Sequence, residues 1–386
     1  MEIRTLALED NYRLLAEIAA PHAELLAIVK ANAYGHGLEI CAPAVARAGA
    51  RWLGVTSVEE GVAARAVCPD AEILVISGVF RGQGADVVRH KLTVVVWESW
   101  HLDELEGAGA DGGQIPVHLE IDTGMSRQGV EPDSVAPLLA RFGGRSRLRP
   151  DGVMTHLFAA DEADGAVTQD QLARLEVALG HVKAAGLKPT WLNVGNSAAL
   201  LSGQGAAIGA LAARFGMKAM LRPGLALYGL APEFEPGFEG GEPASLVAAH
   251  KRLRPVLTWK TKVVGVRVVE AGTLVGYNGT FVATEPMKLA LLAAGYGDGL
   301  DRKLGNRFSV LVRGQRAPMV GRISMDQAVI DVTEIAGVEP GDEVVLLGPQ
   351  GTDTISAVDH ARAGGTIPWE VFTRIGARVA RVEDRE

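Results

Sequence analysis

Short apolar runs recur along the first 230 residues, separated by segments whose apolar positions fall three and four apart. Leu25-Leu26-Ala27-Ile28-Val29 is apolar at every position, which is the pattern of a strand buried on both faces rather than one. Similar runs cover residues 52–56, 73–76, 92–96, 117–121, 152–155, 190–193 and 219–222. A helix carrying Leu14, Leu15 and Ile18 precedes the first run and is closed by Pro21. Cys41, Ala44, Val45 and Ala48 repeat the helical spacing after Gly37, and Gly49 ends it. The clearest later helix carries Leu172, Leu175, Leu179 and Val182 and stops at Gly186. Eight strands with helices between them, in about the 250 residues such a fold needs, predict a (β/α)8 TIM barrel over a doubly wound sheet.

The pattern changes after Tyr228-Gly229-Leu230. Residues 231–244 are rich in Pro, Gly and Glu and read as an exposed connection. Beyond them helical spacing nearly vanishes, and residues 256–269, 288–293, 308–312, 328–331 and 343–347 are strand-like. Turns such as Asn278-Gly279, Arg313-Gly314 and Pro340-Gly341-Asp342 separate them. The expected organisation is therefore α/β, with a barrel domain over 1–235 and a mostly-β domain over 236–386. A chain of 386 residues is long enough for both.

Composition narrows the classes of function. A net charge of -8 leaves no basic stripe to displace counterions from a nucleic acid, and the basic clusters at 141–149 and 251–254 are short and local. Cys41 and Cys68 make no disulfide framework, which fits a reducing compartment. The start Met1-Glu2-Ile3-Arg4 has no signal-peptide pattern, and no apolar run approaches a bilayer's width. A cytoplasmic protein without a membrane partner is expected. Nine histidines occur singly, with no zinc-type spacing, so no catalytic metal is expected.

A barrel gathers its ligands at the carboxyl ends of its strands, and those ends are polar here. The first run ends in Lys30, followed by Tyr34; the fifth in Asp122-Thr123-Gly124-Met125-Ser126-Arg127; the sixth in His156. The seventh ends in Asn193-Val194-Gly195-Asn196-Ser197 and the eighth in Arg222-Pro223-Gly224-Leu225. A lysine above a buried sheet loses its charge readily and can form a Schiff base with a carbonyl cofactor, although it could equally be a solvated strand-end residue. Asn196-Ser197 opening a helix, with Gly224 opposite, could bind phosphate, although each could also be an ordinary N-cap and an ordinary turn. Together on one rim they suggest pyridoxal phosphate.

At this point the chain resembles the bacterial alanine racemases of the pyridoxal-phosphate-dependent fold-type III family. Ala27-Ile28-Val29-Lys30-Ala31-Asn32-Ala33-Tyr34-Gly35-His36-Gly37 looks like the family's cofactor-lysine motif. Residues 122–130, Asn196-Ser197-Ala198, residues 221–229, Gly276-Tyr277-Asn278-Gly279, residues 295–299 and Gly321-Arg322-Ile323-Ser324-Met325-Asp326-Gln327 follow in the family's order. The resemblance implies interconversion of L- and D-alanine, supplying D-alanine for peptidoglycan, by a homodimer with composite sites. Lys30 would carry the cofactor and serve one face of the α-carbon. Tyr277 of the second subunit would serve the other. Read alone, Tyr277 would only mark a tight hairpin. Tyr34, Asn196, Ser197, Gly224 and Leu225 would hold the cofactor, chiefly its phosphate. Arg222, oriented by His156, would face the pyridine nitrogen, and Arg127 with the Met325 N–H would take the substrate carboxylate. Tyr296, Arg302, Arg322 and Asp326 would narrow the entrance to favour a small amino acid.

Two positions depart from the family. Glu120 stands where a carbamylated lysine usually positions the substrate-binding arginine, and its shorter arm predicts a looser or water-bridged contact with Arg127. Trp369 stands where a tyrosine usually reaches the phosphate, and indole can donate one hydrogen bond but accept none. Both bear on pocket size, so a racemase of broader substrate range is the alternative. A non-catalytic pyridoxal phosphate carrier is a further one, disfavoured by Tyr277 and the β domain.

Overall fold

In the computed structural model, which describes residues 1–108, 113–143, 146–234, 237–238 and 241–385, a three-residue strand β1 (Glu2–Arg4) precedes a closed parallel barrel. Its strands are β2 (Ala23–Ile28), β3 (Trp52–Val55), β4 (Glu72–Val75), β5 (Thr93–Val96), β6 (Ile115–Glu120), β7 (Leu148–Met154), β8 (Trp191–Asn196) and β9 (Lys218–Arg222). They pair in sequence order, and β9 returns to β2 through Ala23↔Ala219 and Leu25↔Leu221. The TIM barrel expected from the apolar pattern is present. The strands are rich in apolar residues because helices cover their outer faces and neighbouring side chains fill their inner ones, and most of the polar residues stand near the strand ends. Val94, Val95 and Leu53 are fully buried, as are Leu14 and Leu15 of the helix Thr5–Ala19.

Among the buried polar residues on the barrel strands, two lie on one face of β6. His118 lies on β6 opposite Gly152 of β7, where a Cβ would come within 2.7 Å of the imidazole; the glycine makes room for the ring. Glu120, two residues further along the same face, is also buried.

The chain forms two compact units: residues Leu6–Ala33 with Leu38–Pro255, and Met1–Thr5 with Tyr34–Gly37 and Val256–Glu386. The helix Ala244–Arg252 belongs to the barrel unit. In the second unit, β10 (Leu257–Val269) is a long central strand. The other strands are β11 (Leu274–Val275), β12 (Phe281–Val282), β13 (Met287–Leu292), β14 (Ser309–Val312), β15 (Gln315–Pro318), β16 (Ala328–Asp331), β17 (Glu343–Gln350), β18 (Asp353–Ile355) and β19 (Val382–Asp384). The main path runs β15-β14-β17-β10-β1-β19. Helices are few here, as the sequence pattern indicated, but two short ones that it did not show are present, Ala357–Gly364 and Pro368–Thr373. At eight and six residues they are too short to establish a period, although Ser356 and Asp359 form a capping box at the first.

Candidate active site

Lys30 stands two residues past the end of β2, and the four residues after it turn left-handed, with φ between 51° and 55° at Ala31, Asn32, Ala33 and Tyr34. Consecutive non-glycine residues in this region store backbone strain, roughly 1–2 kcal/mol apiece. The turn is pinned within the barrel unit: Asn32 Oδ1 accepts from Leu38 N at 2.7 Å, Glu60 accepts from Asn32 N, and Ala33 N donates to Val29 O at 2.8 Å. Burial, then Arg127 and Arg222, lower the Lys30 pKa, while Glu60 opposes them. A buried amine beside two guanidiniums is driven towards its neutral, nucleophilic form.

Arg222, at the end of β9, is buried and fully engaged at both terminal nitrogens. Nη1 donates to Asn193 O at 2.8 Å and Asn193 Oδ1 at 2.6 Å; Nη2 donates to Thr155 O at 2.9 Å and to His156 Nδ1 at 3.0 Å. Four acceptors account for the four Nη hydrogens, which leaves Nε–H. Beneath His156, Gln171 Nε2 donates to His156 O at 3.0 Å and to Thr123 Oγ1 at 2.9 Å, and Thr123 is bonded to Thr155 at 2.8 Å. The pattern of apolar runs gave no sign of this support, because Gln171 lies on a helix whose periodicity is carried by leucines.

Ser197 Oγ accepts from Gly224 N at 3.0 Å and from Ala226 N at 3.3 Å. Its lone pairs are taken, while its own hydrogen has no acceptor among the described residues. The Leu225 N–H likewise finds none. Asn196 behaves as the plain N-cap, accepting from Ala199 N at 3.1 Å, and its Nδ2 donates to Leu157 O.

The loop after β6 carries Arg127. Asp122 N donates to Val130 O at 2.9 Å and Val130 N to Glu120 O at 3.0 Å, closing its base; Asp122 Oδ1 accepts from Gly124 N and Ser126 N. The Arg127 guanidinium makes no hydrogen bond or ion pair among the described residues. The direct hydrogen-bond partner of Glu120 is Gln128 Nε2. Burial pushes the Glu120 pKa up to about 7, against the Gln128 hydrogen bond and the charges of Arg222 and Arg127.

The remaining candidates lie in the second unit. Tyr277 tips the β11–β12 hairpin at 65% exposure, with Gly276 at φ 72° and Asn278 at φ 60°. A Cβ on Gly276 would meet Arg322 N at 3.2 Å. Tyr296 N donates to Ser324 O at 3.0 Å and Gly297 N to Met325 O at 2.8 Å. Tyr277, Arg322, Met325 and Tyr296 thus stand on loops that pack pairwise. Asp326 pairs with Arg378 at 2.8 Å and Arg302 is exposed. Tyr34 is buried and Trp369 half-buried on the helix Pro368–Thr373 of this same unit.

Two family models match almost the whole chain: the N-terminal domain of alanine racemase over residues 3–232, and its C-terminal domain over residues 256–383. The chain belongs to the alanine racemase family. Its reaction is the interconversion of L- and D-alanine. It is 39% identical over 382 residues to the alanine racemase of Symbiobacterium thermophilum, covering 98% of this chain and 95% of that one. Alanine racemase from Streptomyces coelicolor A3(2) superposes with a TM-score of 0.89 at 36% identity, covering 100% of this chain and 97% of the other. Another match is the Bartonella henselae alanine racemase with covalently bound pyridoxal phosphate, with a TM-score of 0.82, 28% identity and coverage of 99% and 98%. The barrel mouth fits such a group: an amine pressed towards neutrality, a buried hydroxyl with its hydrogen unassigned, a backbone N–H and a guanidinium N–H. No helix of the described residues is long and apolar enough to cross a membrane, and no cluster of three metal-ligating side chains occurs among them.

Proposed function

We propose that alanine racemisation here runs on pyridoxal phosphate held by Lys30, with Lys30 and the Tyr277 of a second copy of the chain working on opposite faces of the α-carbon. When bound, the cofactor supplies a carbonyl carbon that condenses with amines and a conjugated ring that accepts the electron pair of a broken C–H bond. Ser197, the Leu225 N–H, Asn196 and Gly224 would hold the phosphate end, with Tyr34 and Trp369 as the further residues that the resemblance assigns to it. Arg222, already committed to His156, Asn193 and Thr155, has its Nε–H left to meet the ring nitrogen. A guanidinium only donates, so that nitrogen would stay unprotonated and electron withdrawal would be moderated.

Arg127, with the Met325 N–H of the second copy, takes the substrate carboxylate. Lys30, its pKa lowered by desolvation and by Arg127 and Arg222, removes or returns a proton on one face. The Tyr277 phenol does the reverse on the other, which is the division of labour that inversion at carbon requires. Tyr296, Arg302, Arg322 and Asp326 limit the entrance to a small amino acid. The resulting D-alanine is a building block of peptidoglycan, and the setting is the cytoplasm.

The exposure of Tyr277 at 65%, with Met325 at 53% and Tyr296 at 42%, carries the dimer reading. Large residues of one cluster facing outwards from the β unit are placed to complete another molecule's site. The test is a visible absorption band from the Schiff base in the purified protein, together with conversion of L- to D-alanine. Lys30→Ala should abolish both; a racemising protein that keeps its band and rate after that change would overturn the assignment.

A further inference from the structure

The Arg127 loop has an ordered base and an ordered first half. Val130 and Asp122 exchange backbone bonds with each other and with Glu120, and Asp122 Oδ1 holds Gly124 and Ser126. Its second half runs through Ser126 at φ 55° and Gly129 at φ 110°, and a Cβ on Gly129 would lie 2.6 Å from Asp122 N. Arg127 sits between these two constrained positions, and its side chain has no hydrogen bond or ion pair among the described residues. The adjoining side chain is different. Gln128 Nε2 donates to Ile76 O, just past β4, at 3.0 Å, and to the buried carboxyl of Glu120 at the end of β6. One amide nitrogen therefore ties the loop to the ends of two barrel strands, using both of its hydrogens.

We propose that Gln128 is a positioning residue for Arg127, holding the loop to Ile76 and Glu120 so that the guanidinium meets the substrate carboxylate without having to be ordered by it. The proposal rests on the reading that Arg127 binds that carboxylate. A tether of this kind acts on binding: what it fixes in advance does not have to be fixed when the ligand arrives. Glu120 is faced by Gln128, Arg222, Arg127 and Asp122, so its carboxyl is poised between its two protonation forms, and either form can accept from the amide.

Gln128→Leu keeps much of the volume and removes both donors. KM for L-alanine should rise about tenfold, as expected for two lost buried hydrogen bonds, with kcat changed less than about threefold and the visible band intact. Gln128→Glu sets two carboxyls against each other. They can share a proton at low pH and repel above it, so KM should be near the native value at about pH 5.5 and climb as pH rises past neutrality. A purely structural lesion would not recover with acid. Propionate, a carboxylate without the amine, separates this inference from the cofactor chemistry. Its binding to the full chain, followed by tryptophan fluorescence, should weaken about tenfold in Gln128→Leu whether or not the protein racemises. Equal propionate affinity in native and Gln128→Leu protein, or a Gln128→Glu variant with a flat KM against pH, would overturn the assignment.

Discussion

Arg222 Nη2 stands 3.0 Å from Nδ1 of His156, and because a guanidinium can only donate, this one contact fixes the tautomer of the ring. Nδ1 must be the acceptor and the hydrogen must reside on Nε2. Burial, then the charges of Arg222, Arg127 and Lys30, push the His156 pKa down to about 3. The ring is therefore neutral throughout the working range and contributes no limb to the pH dependence of the reaction. Nitrogen NMR of the labelled protein should find an Nε2–H tautomer from pH 5 to 9. A ring that takes up a second proton near pH 6.5 would contradict the arrangement.

Glu120 is a group whose stability and function should part company. Its folded pKa, near 7, lies above the 4.5 of an ordinary glutamate. Between those values the folded chain holds a proton that the unfolded chain has released, so stability falls as pH rises from about 4.5 to 7 and levels off above. Glu120→Gln removes this cost and should stabilise the protein at pH 8 by about 2 kcal/mol in urea unfolding. The same change removes the negative charge facing Arg127 and Arg222, and KM for alanine should rise several-fold. A variant with unchanged KM would leave Glu120 without a role in binding.

Two other buried histidines set the acid limit. His118, inside the barrel, is pushed down to about 3 and His101 to about 4, in both cases chiefly by burial. Their folded values lie below the ordinary 6.5, so under pH 6.5 the unfolded chain takes up protons that the folded chain refuses. Stability should therefore fall as pH drops from 6.5 towards 4, by on the order of 2 kcal/mol per histidine at pH 5. Urea midpoints between pH 7 and 5 would show the slope, and it should be shallower in His118→Gln.

Composite sites predict complementation. Lys30→Ala and Tyr277→Phe proteins should each be nearly inactive, while unfolding and refolding them together makes mixed dimers in which one of the two sites is whole. With random pairing, about a quarter of the native activity should return. Activity that never exceeds the sum of the two variants would show that each chain uses its own tyrosine.

The barrel was legible because its strands are buried on both faces: Leu25 to Val29 and the seven later runs stand out without any knowledge of partners. Lys30, Arg222 and Ser197 could be found as polar residues terminating those runs. Tyr277 could not be read from local pattern, since a Gly-Tyr-Asn-Gly hairpin serves equally as a turn, and only the resemblance singled it out. Gln128 and Gln171 escaped altogether. Their importance lies in which carbonyls and carboxyls they reach, across 52 and 15 residues of chain respectively, and one-dimensional spacing does not encode such contacts. The short helices 357–364 and 368–373 were hidden for the simpler reason that two turns do not make a period.

Residues Tyr34–Gly37, only a few positions past Lys30, are built into the unit formed by the last third of the chain. Gly35 O accepts from Arg381 Nε at 3.1 Å, and a Cβ on Gly35 would strike Phe372 O at 2.2 Å. β1 is likewise paired with β19, Glu2 opposite Val382. During synthesis these early residues leave the ribosome long before their partners exist, and contacts so distant in sequence are slow to form. The barrel strands can close as they emerge, whereas the segment just past Lys30 acquires its final neighbours only when translation is almost over. A nascent chain cut short near residue 370 would carry every barrel residue of the site and still lack the residue that fastens Gly35.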